Sequence, residues 1–277
     1  MDMTGENIIK RKKYDFEVQI SDQACLNIAD RGNCLSCGRS RKWFCYDCAR
    51  WSSGFDGKKV PRVSLPFPLH ILKHNIEVSG KSTALHAVML VNSPCKYHVY
   101  PRIPDYSKMA RPDSENPNIW VLYPSKTAKP VREIVEDFHL NCSAENSSYS
   151  FEEFCKIIEL DLLVVVDGTW TQIHDFLDDF RIKSAKSVRF VKLVEIYETT
   201  FWRPQGKLPK SYLATIEALF YFMKELQLEF AKFTAAKCLS NEDEHKFDNL
   251  LFFYDFMLKC VTGRGSNPLA SSPKDSS

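Results

Sequence analysis

The feature of this sequence that most constrains its fold is an apolar run that ends in a carboxylate. The run is 162–166, five aliphatic residues of which three are β-branched, and Asp167, Gly168 and Thr169 follow it directly. Such a run bounded by a turn residue indicates a buried strand of an α/β sheet. Ligands bind at the carboxyl ends of the strands in open α/β sheets, so Asp167 is the first candidate for catalysis. The alternative is that Asp167 only caps a helix that begins near Thr169.

The composition indicates one large domain with a small appendage. The 277 residues are 44% hydrophobic and 13% aromatic, which is enough to bury a full core. No apolar run is long enough to cross a bilayer and residues 1–6 lack a signal-peptide core, so we expect no membrane association and a location in the nucleus or the cytosol. The formal net charge of +2 leaves any nucleic-acid binding to local basic patches.

Four of the ten cysteines form two Cys-x-x-Cys pairs, Cys34 with Cys37 and Cys45 with Cys48. Two such pairs supply the four thiolates of a structural zinc site, which has no open position for catalysis. The alternative, unrelated buried thiols, requires two coincidental pairs within one short segment. The six remaining cysteines are expected to behave as small buried hydrophobes.

The rest of the chain alternates between strand and helix patterns, which predicts an α/β fold. One apolar face of the predicted helix 169–180 carries Ile173, Phe176, Leu177 and Phe180. The predicted strands are 67–72, 97–100, 119–123, 162–167 and 188–194, and the predicted helices are 22–29, 83–90, 130–140, a short helix from 151, 169–180, 212–226 and 250–256.

Two further segments suggest anion binding. The segment 80–83, Gly-Lys-Ser-Thr, matches the end of a phosphate-binding loop, but Asn75 stands where that motif requires glycine, which argues against an NTPase. The loop 201–209 is aromatic and basic and leads into the helix of Thr215. Cations at a helix start are unfavourable unless an anion lies there. Either a carboxylate or RNA phosphate binds at this loop, or Trp202 simply packs on the core.

In their order along the chain, these motifs resemble the DTW-domain proteins of the TDD superfamily. The resemblance covers about residues 34–256 and implies a SPOUT-like α/β domain with a trefoil knot, a rare exception to unknotted topology. The matching residues are the two cysteine pairs, Lys73, His74, Glu77, Gly80, Lys81, Ser82, Thr83, Leu122, Tyr123, Pro124, Asp167, Gly168, Thr169, Trp170, Phe201, Trp202, Arg203, Thr215, Ile216, Glu217 and Ala218.

The likeness is greatest to the eukaryotic tRNA-uridine aminocarboxypropyltransferases of that family. It implies transfer of the 3-amino-3-carboxypropyl group of S-adenosylmethionine to N3 of a D-loop uridine in tRNA, at position 20. Asp167 would be the catalytic base. Leu122, Tyr123, Pro124, Thr169, Trp170 and Thr215 would bind the donor, and Trp202, Arg203, Gly206 and Lys207 would bind the RNA. No protein partner is implied.

The predicted organisation is therefore a flexible arm over 1–31, a zinc module over 32–58, a catalytic DTW domain over 59–262 and a disordered tail over 263–277. Two other functions stay open. An RNA methyltransferase of the SPOUT superfamily would use the same donor and differ only in which sulfonium carbon it presents. A non-catalytic, zinc-dependent RNA-binding protein would keep the cysteines but would have no need of a carboxylate beside the central strand.

Overall fold

The structure is a computed structural model, and it describes residues 16–109, 118–139, 149–203, 209–234 and 240–263. Several sequence predictions fall outside these ranges. They concern the first fifteen residues of the predicted arm, Gly206 and Lys207, the last residue of the predicted helix 130–140, and all but the first residue of the predicted tail.

The N-terminal part of the described chain consists of one helical turn followed by two short hairpins. The first hairpin pairs β1 with β2, the second pairs β3 with β4, and both are antiparallel. Each hairpin carries one of the two cysteine pairs. The bounds are Ala24–Asn27 for α1, Gly32–Asn33 for β1, Ser40–Arg41 for β2, Phe44–Cys45 for β3 and Arg50–Trp51 for β4.

Several residues of the segment 16–31 pack against the rest of the molecule, while the flexibility of the arm stays a prediction. Phe16 and Ile20 contact the main hydrophobic core, and Leu26 is fully buried. The indole nitrogen of Trp43 donates a hydrogen bond to the carbonyl of Leu26 at 2.9 Å. The apolar residues Phe16, Val18 and Ile20 alternate with exposed polar ones, a period-two pattern in the sequence that could have indicated this packing.

In the described chain, six parallel strands form one sheet with the order β6-β5-β9-β7-β10-β8. All six residues of the central strand β9 are buried, which confirms the strand predicted from the apolar run. The predicted strands are confirmed with shifts of a few residues at their ends. The bounds are Leu69–Lys73 for β5, Cys95–Val99 for β6, Ile119–Leu122 for β7, Lys129–Pro130 for β8, Leu162–Asp167 for β9 and Val188–Lys192 for β10.

Helices cover both faces of this sheet, because alternate residues of each strand point to opposite sides. On β9, Leu163 and Val165 belong to the core beneath α2, α3, α4 and α7, whereas Val164 and Val166 belong to the core beneath α5 and α6. The helices are Ala84–Leu90 (α2), Val131–His139 (α3), Phe151–Ile157 (α4), Trp170–Asp178 (α5), Phe180–Lys183 (α6), Thr215–Phe233 (α7), Asn241–His245 (α8) and Phe252–Val261 (α9). Across the described ranges, no helix combines the length and apolarity needed to cross a membrane.

The predicted helix 169–180 is interrupted near its end, so the prediction for Phe180 is wrong. Asp179 has extended backbone angles, and its carboxylate accepts a hydrogen bond from the backbone N–H of Arg181, which starts a new helix. Ile173 and Phe176 are buried as predicted, but the side chain of Phe180 is 69% exposed. The capping interaction of Asp179 therefore separates the two helices, although the apolar spacing of the sequence continues to Phe180.

The aromatic core beneath α7 gives a first prediction. Phe154 is fully buried, and its ring centroid lies 5.3 Å from that of Phe230 and 5.2 Å from that of Phe233. Phe154→Ala should lower the free energy of unfolding by about 3–5 kcal/mol, because it leaves a cavity. The exposed Phe180→Ala should change it by no more than about 0.5 kcal/mol. Urea unfolding followed by circular dichroism measures both, and equal losses would contradict the packing described here.

Candidate active site

Asp167 ends β9 at the carboxyl edge of the sheet, and its side chain is only 3% exposed. One carboxylate oxygen accepts a hydrogen bond from the hydroxyl of Ser82 at 2.7 Å, and the other accepts one from the hydroxyl of Thr215 at 2.6 Å. The helix that follows β9 is capped differently, because the backbone N–H of Thr169 donates to the side chain of Gln172 at 2.8 Å. The described contacts of Asp167 are thus not those of a helix cap.

Burial sets the acid–base character of Asp167. Desolvation raises the pKa of Asp167 above its ordinary value, while the bonds from Thr215 and Ser82 and the charge of Lys73 act in the opposite direction. Lys73 is the partner of Asp167 in the register of β5 and β9 and is itself buried. Its ammonium donates to the backbone carbonyls of His74 and Glu77 at 3.0 and 2.6 Å. A buried carboxylate beside a buried cation fits a group that exchanges a proton.

The starts of two helices meet at this carboxylate. Ser82 lies just before α2, and Thr215 is the first residue of α7. The two starts also touch directly, since the backbone N–H of Ile216 donates to the hydroxyl of Thr83 at 3.2 Å. Ser82, predicted as a candidate to bind an anion, is therefore hydrogen-bonded to Asp167. Beside this carboxylate lies a small cavity of about 170 Å³, which Lys81 lines together with Glu77, Asp167 and Thr169.

A larger cavity of about 450 Å³ adjoins the small one and shares Gly168, Tyr212, Leu213 and Thr215 with it. Most of its remaining lining comes from the ends of β7 and β10 and from the segment that follows each strand, and β9, α5 and α7 also contribute to it. Four of the six residues predicted to bind the donor line it, namely Leu122, Tyr123, Pro124 and Thr215. A fifth, Thr169, lines the small cavity. Trp170 begins α5, but its side chain is not described.

Glu225 holds one wall of the larger cavity and was not predicted from the sequence. Its carboxylate accepts hydrogen bonds from the backbone N–H groups of Val194 and Glu195 at 2.8–3.0 Å. The hydroxyl of Tyr197 donates to it at 2.9 Å, and burial raises the pKa of Glu225. These bonds fix the segment 193–197, which otherwise has no regular structure.

Glu217 performs the same role two turns earlier on α7. Its carboxylate accepts hydrogen bonds from the hydroxyl of Thr199 at 2.5 Å and from the backbone N–H of Thr200 at 2.8 Å. The backbone N–H of Ala214 donates to it at 2.8 Å. A sequence signal for both residues did exist, because Glu217 and Glu225 lie among the buried positions of an apolar helix, where an unpartnered carboxylate would be strongly unfavourable.

The described part of the loop, 201–203, packs against the core through Trp202, and its binding of RNA stays a prediction. Trp202 is half-buried, and its ring centroid lies 5.1 Å from that of Tyr254. The guanidinium of Arg203 donates to the backbone carbonyl of Gly80 at 2.7 Å. Trp202 and Arg203 therefore lie away from the larger cavity and line a separate one beside the cysteine hairpins.

The four paired cysteines form a single cluster. The sulfur atoms of Cys34, Cys37, Cys45 and Cys48 all lie within 4.8 Å of one another, and those of Cys37 and Cys45 are 3.7 Å apart. A tetrahedral zinc site with bonds of about 2.3 Å places its sulfur atoms about 3.8 Å apart. The cluster thus has the size and the ligand chemistry that a tetrahedral metal ion requires.

The two hairpins present their cysteines through the same backbone turn. The N–H of Gly38 donates to the carbonyl of Cys34 at 2.8 Å, and the N–H of Ala49 donates to the carbonyl of Cys45 at 2.9 Å. Both Gly38 and Ala49 have positive φ, at 72° and 50°. Backbone N–H groups of Cys37 and Ser36 lower the pKa of Cys34 to about 6, which favours the thiolate.

Of the six other cysteines, Cys155 and Cys260 are buried as predicted, whereas Cys25 and Cys95 are only partly buried. Cys142 and Cys238 lie outside the described residues.

Comparison with known proteins identifies the family. The model of the DTW domain matches residues 42–262. The chain is 30% identical over 261 residues to tRNA-uridine aminocarboxypropyltransferase 1 of Xenopus laevis, over 88% of this chain and 86% of that protein. The proteins of the same name from Mus musculus and Homo sapiens are 27% and 29% identical, over 87% and 83% of this chain and 80% and 77% of their own lengths. No solved structure gives a significant match. The chain belongs to the DTW-domain family.

Proposed function

We propose that this protein is a tRNA-uridine aminocarboxypropyltransferase, which transfers the 3-amino-3-carboxypropyl group of S-adenosylmethionine to N3 of a uridine in tRNA. The observation that carries the proposal is the position of Asp167, a buried carboxylate where a small cavity adjoins a larger one. The proposal is supported by relatives that carry this activity in their names and align with more than four fifths of the chain.

The larger cavity is the proposed site of the donor's adenosine. Its volume of about 450 Å³ lies within the range of small-molecule sites, and Leu122, Tyr123 and Pro124 supply one wall. Thr169 and Thr215 would then contact the amino-acid part, and the start of α7 carries a partial positive charge suited to its carboxylate. This arrangement directs the aminocarboxypropyl carbon, rather than the methyl group, toward the small cavity above Asp167.

The transfer is a single displacement. The nitrogen N3 forms a bond to the donor's terminal aminocarboxypropyl carbon, while the bond from that carbon to the sulfonium sulfur breaks. The sulfur keeps the bonding electron pair and leaves in methylthioadenosine. The proton of N3 passes to the carboxylate of Asp167, whose raised pKa makes it a stronger base than an exposed aspartate. Ser82 and Thr215 hold that carboxylate in one orientation, and Lys73 favours its ionised form.

The finer features of the fold belong to the same proposal. A SPOUT-like trefoil knot is supported by the insertion of β10 between β7 and β8 and by the joint contribution of the segments after β7 and β10 to one cavity. Residues 32–58 would form the zinc module and residues 59–262 the catalytic domain. We also propose a location in the nucleus or the cytosol.

The reaction class can be tested with two labels. Purified protein is incubated with unmodified tRNA and with S-adenosylmethionine labelled either in the methyl group or in the aminocarboxypropyl group. We expect only the second label to enter the RNA, on the uridine at position 20 of the D-loop, as mapped by nuclease digestion and mass spectrometry. Transfer of the methyl label would indicate a methyltransferase, and transfer of neither label a non-catalytic RNA-binding protein.

The role of Asp167 is tested by Asp167→Asn, which keeps the shape of the side chain but cannot accept the proton. Transfer should fall by about a hundredfold or more. Because the pKa of the buried carboxylate is raised in the folded state, its charge destabilises the fold as pH rises above the unfolded pKa, so this variant should be no less stable than the wild type at pH 7. The control is Asp161→Asn, just before the other end of β9, which should retain activity. Near wild-type transfer by Asp167→Asn would exclude a general base.

The zinc site is tested by metal analysis of protein prepared without chelators. We expect one zinc ion per chain, which Cys45→Ser should remove together with several degrees of thermal stability, while binding of S-adenosylmethionine persists. Cys95→Ser is the matched control, because Cys95 lies on β6 outside the cluster, and it should keep the metal. Wild-type protein without stoichiometric zinc would contradict the four-thiolate site.

A further inference from the structure

We infer that a separate cavity, between the cysteine hairpins and the end of α9, binds a nucleotide of the substrate RNA other than the reacting uridine. This inference rests on the proposed function, since it takes RNA as the substrate. The cavity has a volume of about 320 Å³, and its lining includes four cations, Arg31, Arg41, Lys42 and Arg203. The name "cationic cavity" is used for it below.

The charge of the cationic cavity is largely uncompensated. No carboxylate lines it within the described residues. Arg41 shares Asp47 with Arg39, at 2.8 and 2.6 Å, and also faces Cys45, so it is the compensated cation of the four. Arg31 and Arg203 donate to backbone carbonyls, and in the described part of the chain no carboxylate lies within ion-pair distance of either. Such a cluster attracts phosphate, and RNA is the anion that the proposed reaction brings to this surface.

The floor of the cationic cavity is apolar. Trp43 and Phe256 are buried there in an edge-to-face contact, with their ring centroids 5.5 Å apart. Met257 is half-buried beside them, and Val261 at the rim is 55% exposed. An inorganic anion would use the cations and leave this floor in water. A nucleotide uses both, because its base covers the apolar surface while its phosphates meet the cations.

A short chain of contacts connects the cationic cavity with the catalytic carboxylate. Arg203 lines the cavity and bonds to the carbonyl of Gly80. Two residues later, Ser82 donates its hydroxyl to Asp167. A single RNA strand can therefore lie across this segment, with the uridine above Asp167 and another nucleotide of the strand in the cationic cavity.

The first test removes two of the four cations that line the cationic cavity. The double variant Arg31→Gln with Lys42→Gln should bind unmodified tRNA at least tenfold more weakly than the wild type in about 0.1 M salt. Its slope of log Kd against log salt should be shallower by about 1.4, since each phosphate contact on a single strand contributes about 0.7. Affinity for S-adenosylmethionine should not change. The control, Lys156→Gln with Lys183→Gln, removes two exposed cations outside all the cavities described and should bind tRNA like the wild type.

The second test adds charge at one position. Val261→Glu and Val261→Gln have the same shape and differ by a single negative charge, and the exposure of Val261 allows either side chain. We expect Val261→Glu to raise the KM for tRNA at least threefold above that of Val261→Gln, with the two kcat values within twofold of each other.

Two results would overturn the inference. The double variant Arg31→Gln with Lys42→Gln could bind tRNA within twofold of the control, or the KM of Val261→Glu for tRNA could match that of Val261→Gln. Failure of the proposed function looks different. In that case the wild type transfers no aminocarboxypropyl group, whether or not the double variant binds RNA more weakly.

Discussion

The site depends on how one buried carboxylate is solvated. Asp167 lies at the end of the central strand, where hydroxyl groups of Ser82 and Thr215 take the place of water. Because these hydroxyls belong to the starts of α2 and α7, the same two bonds fix both helices against β9. Burial raises the pKa of this carboxylate. The raised pKa makes Asp167 a better proton acceptor, whereas the burial of its charge lowers the stability of the fold. Functional sites commonly keep such groups at the expense of stability.

Helix α7 also holds the wall of the larger cavity in place. Its buried Glu217 and Glu225 accept hydrogen bonds from backbone N–H groups between residues 194 and 214, a stretch whose described part has no helix or strand of its own. Bonds from charged acceptors to backbone are stronger and more directional than apolar contacts. The wall beside the proposed donor is therefore held in place before any ligand arrives, which lowers the entropy that binding must overcome.

Local patterns predicted the elements, whereas long-range partners could not be predicted. The run 162–166 specified a buried strand because its apolar character needs no distant residue to be recognised, and the cysteine pairs are local in the same sense. The partners of Asp167, Ser82 and Thr215, are 85 and 48 residues away, and although the sequence marked both as motif residues, no local pattern paired them with Asp167. The break at Asp179 was missed because a cap competes with the apolar period within one turn.

The cysteine hairpins and the large domain share a core, although the sequence suggested separate units. Trp43 contacts Phe256 of α9, and Phe44 contacts Phe253 with ring centroids 5.1 Å apart. The family match begins at residue 42, within the hairpins, which agrees with this shared packing. A metal held by the four cysteines would stabilise the hairpins and, through these aromatic contacts, the position of α9. It would thereby set the distance between the hairpin cations that line the cationic cavity and the part of its apolar floor that α9 supplies, so a purely structural ion would still govern how RNA is held.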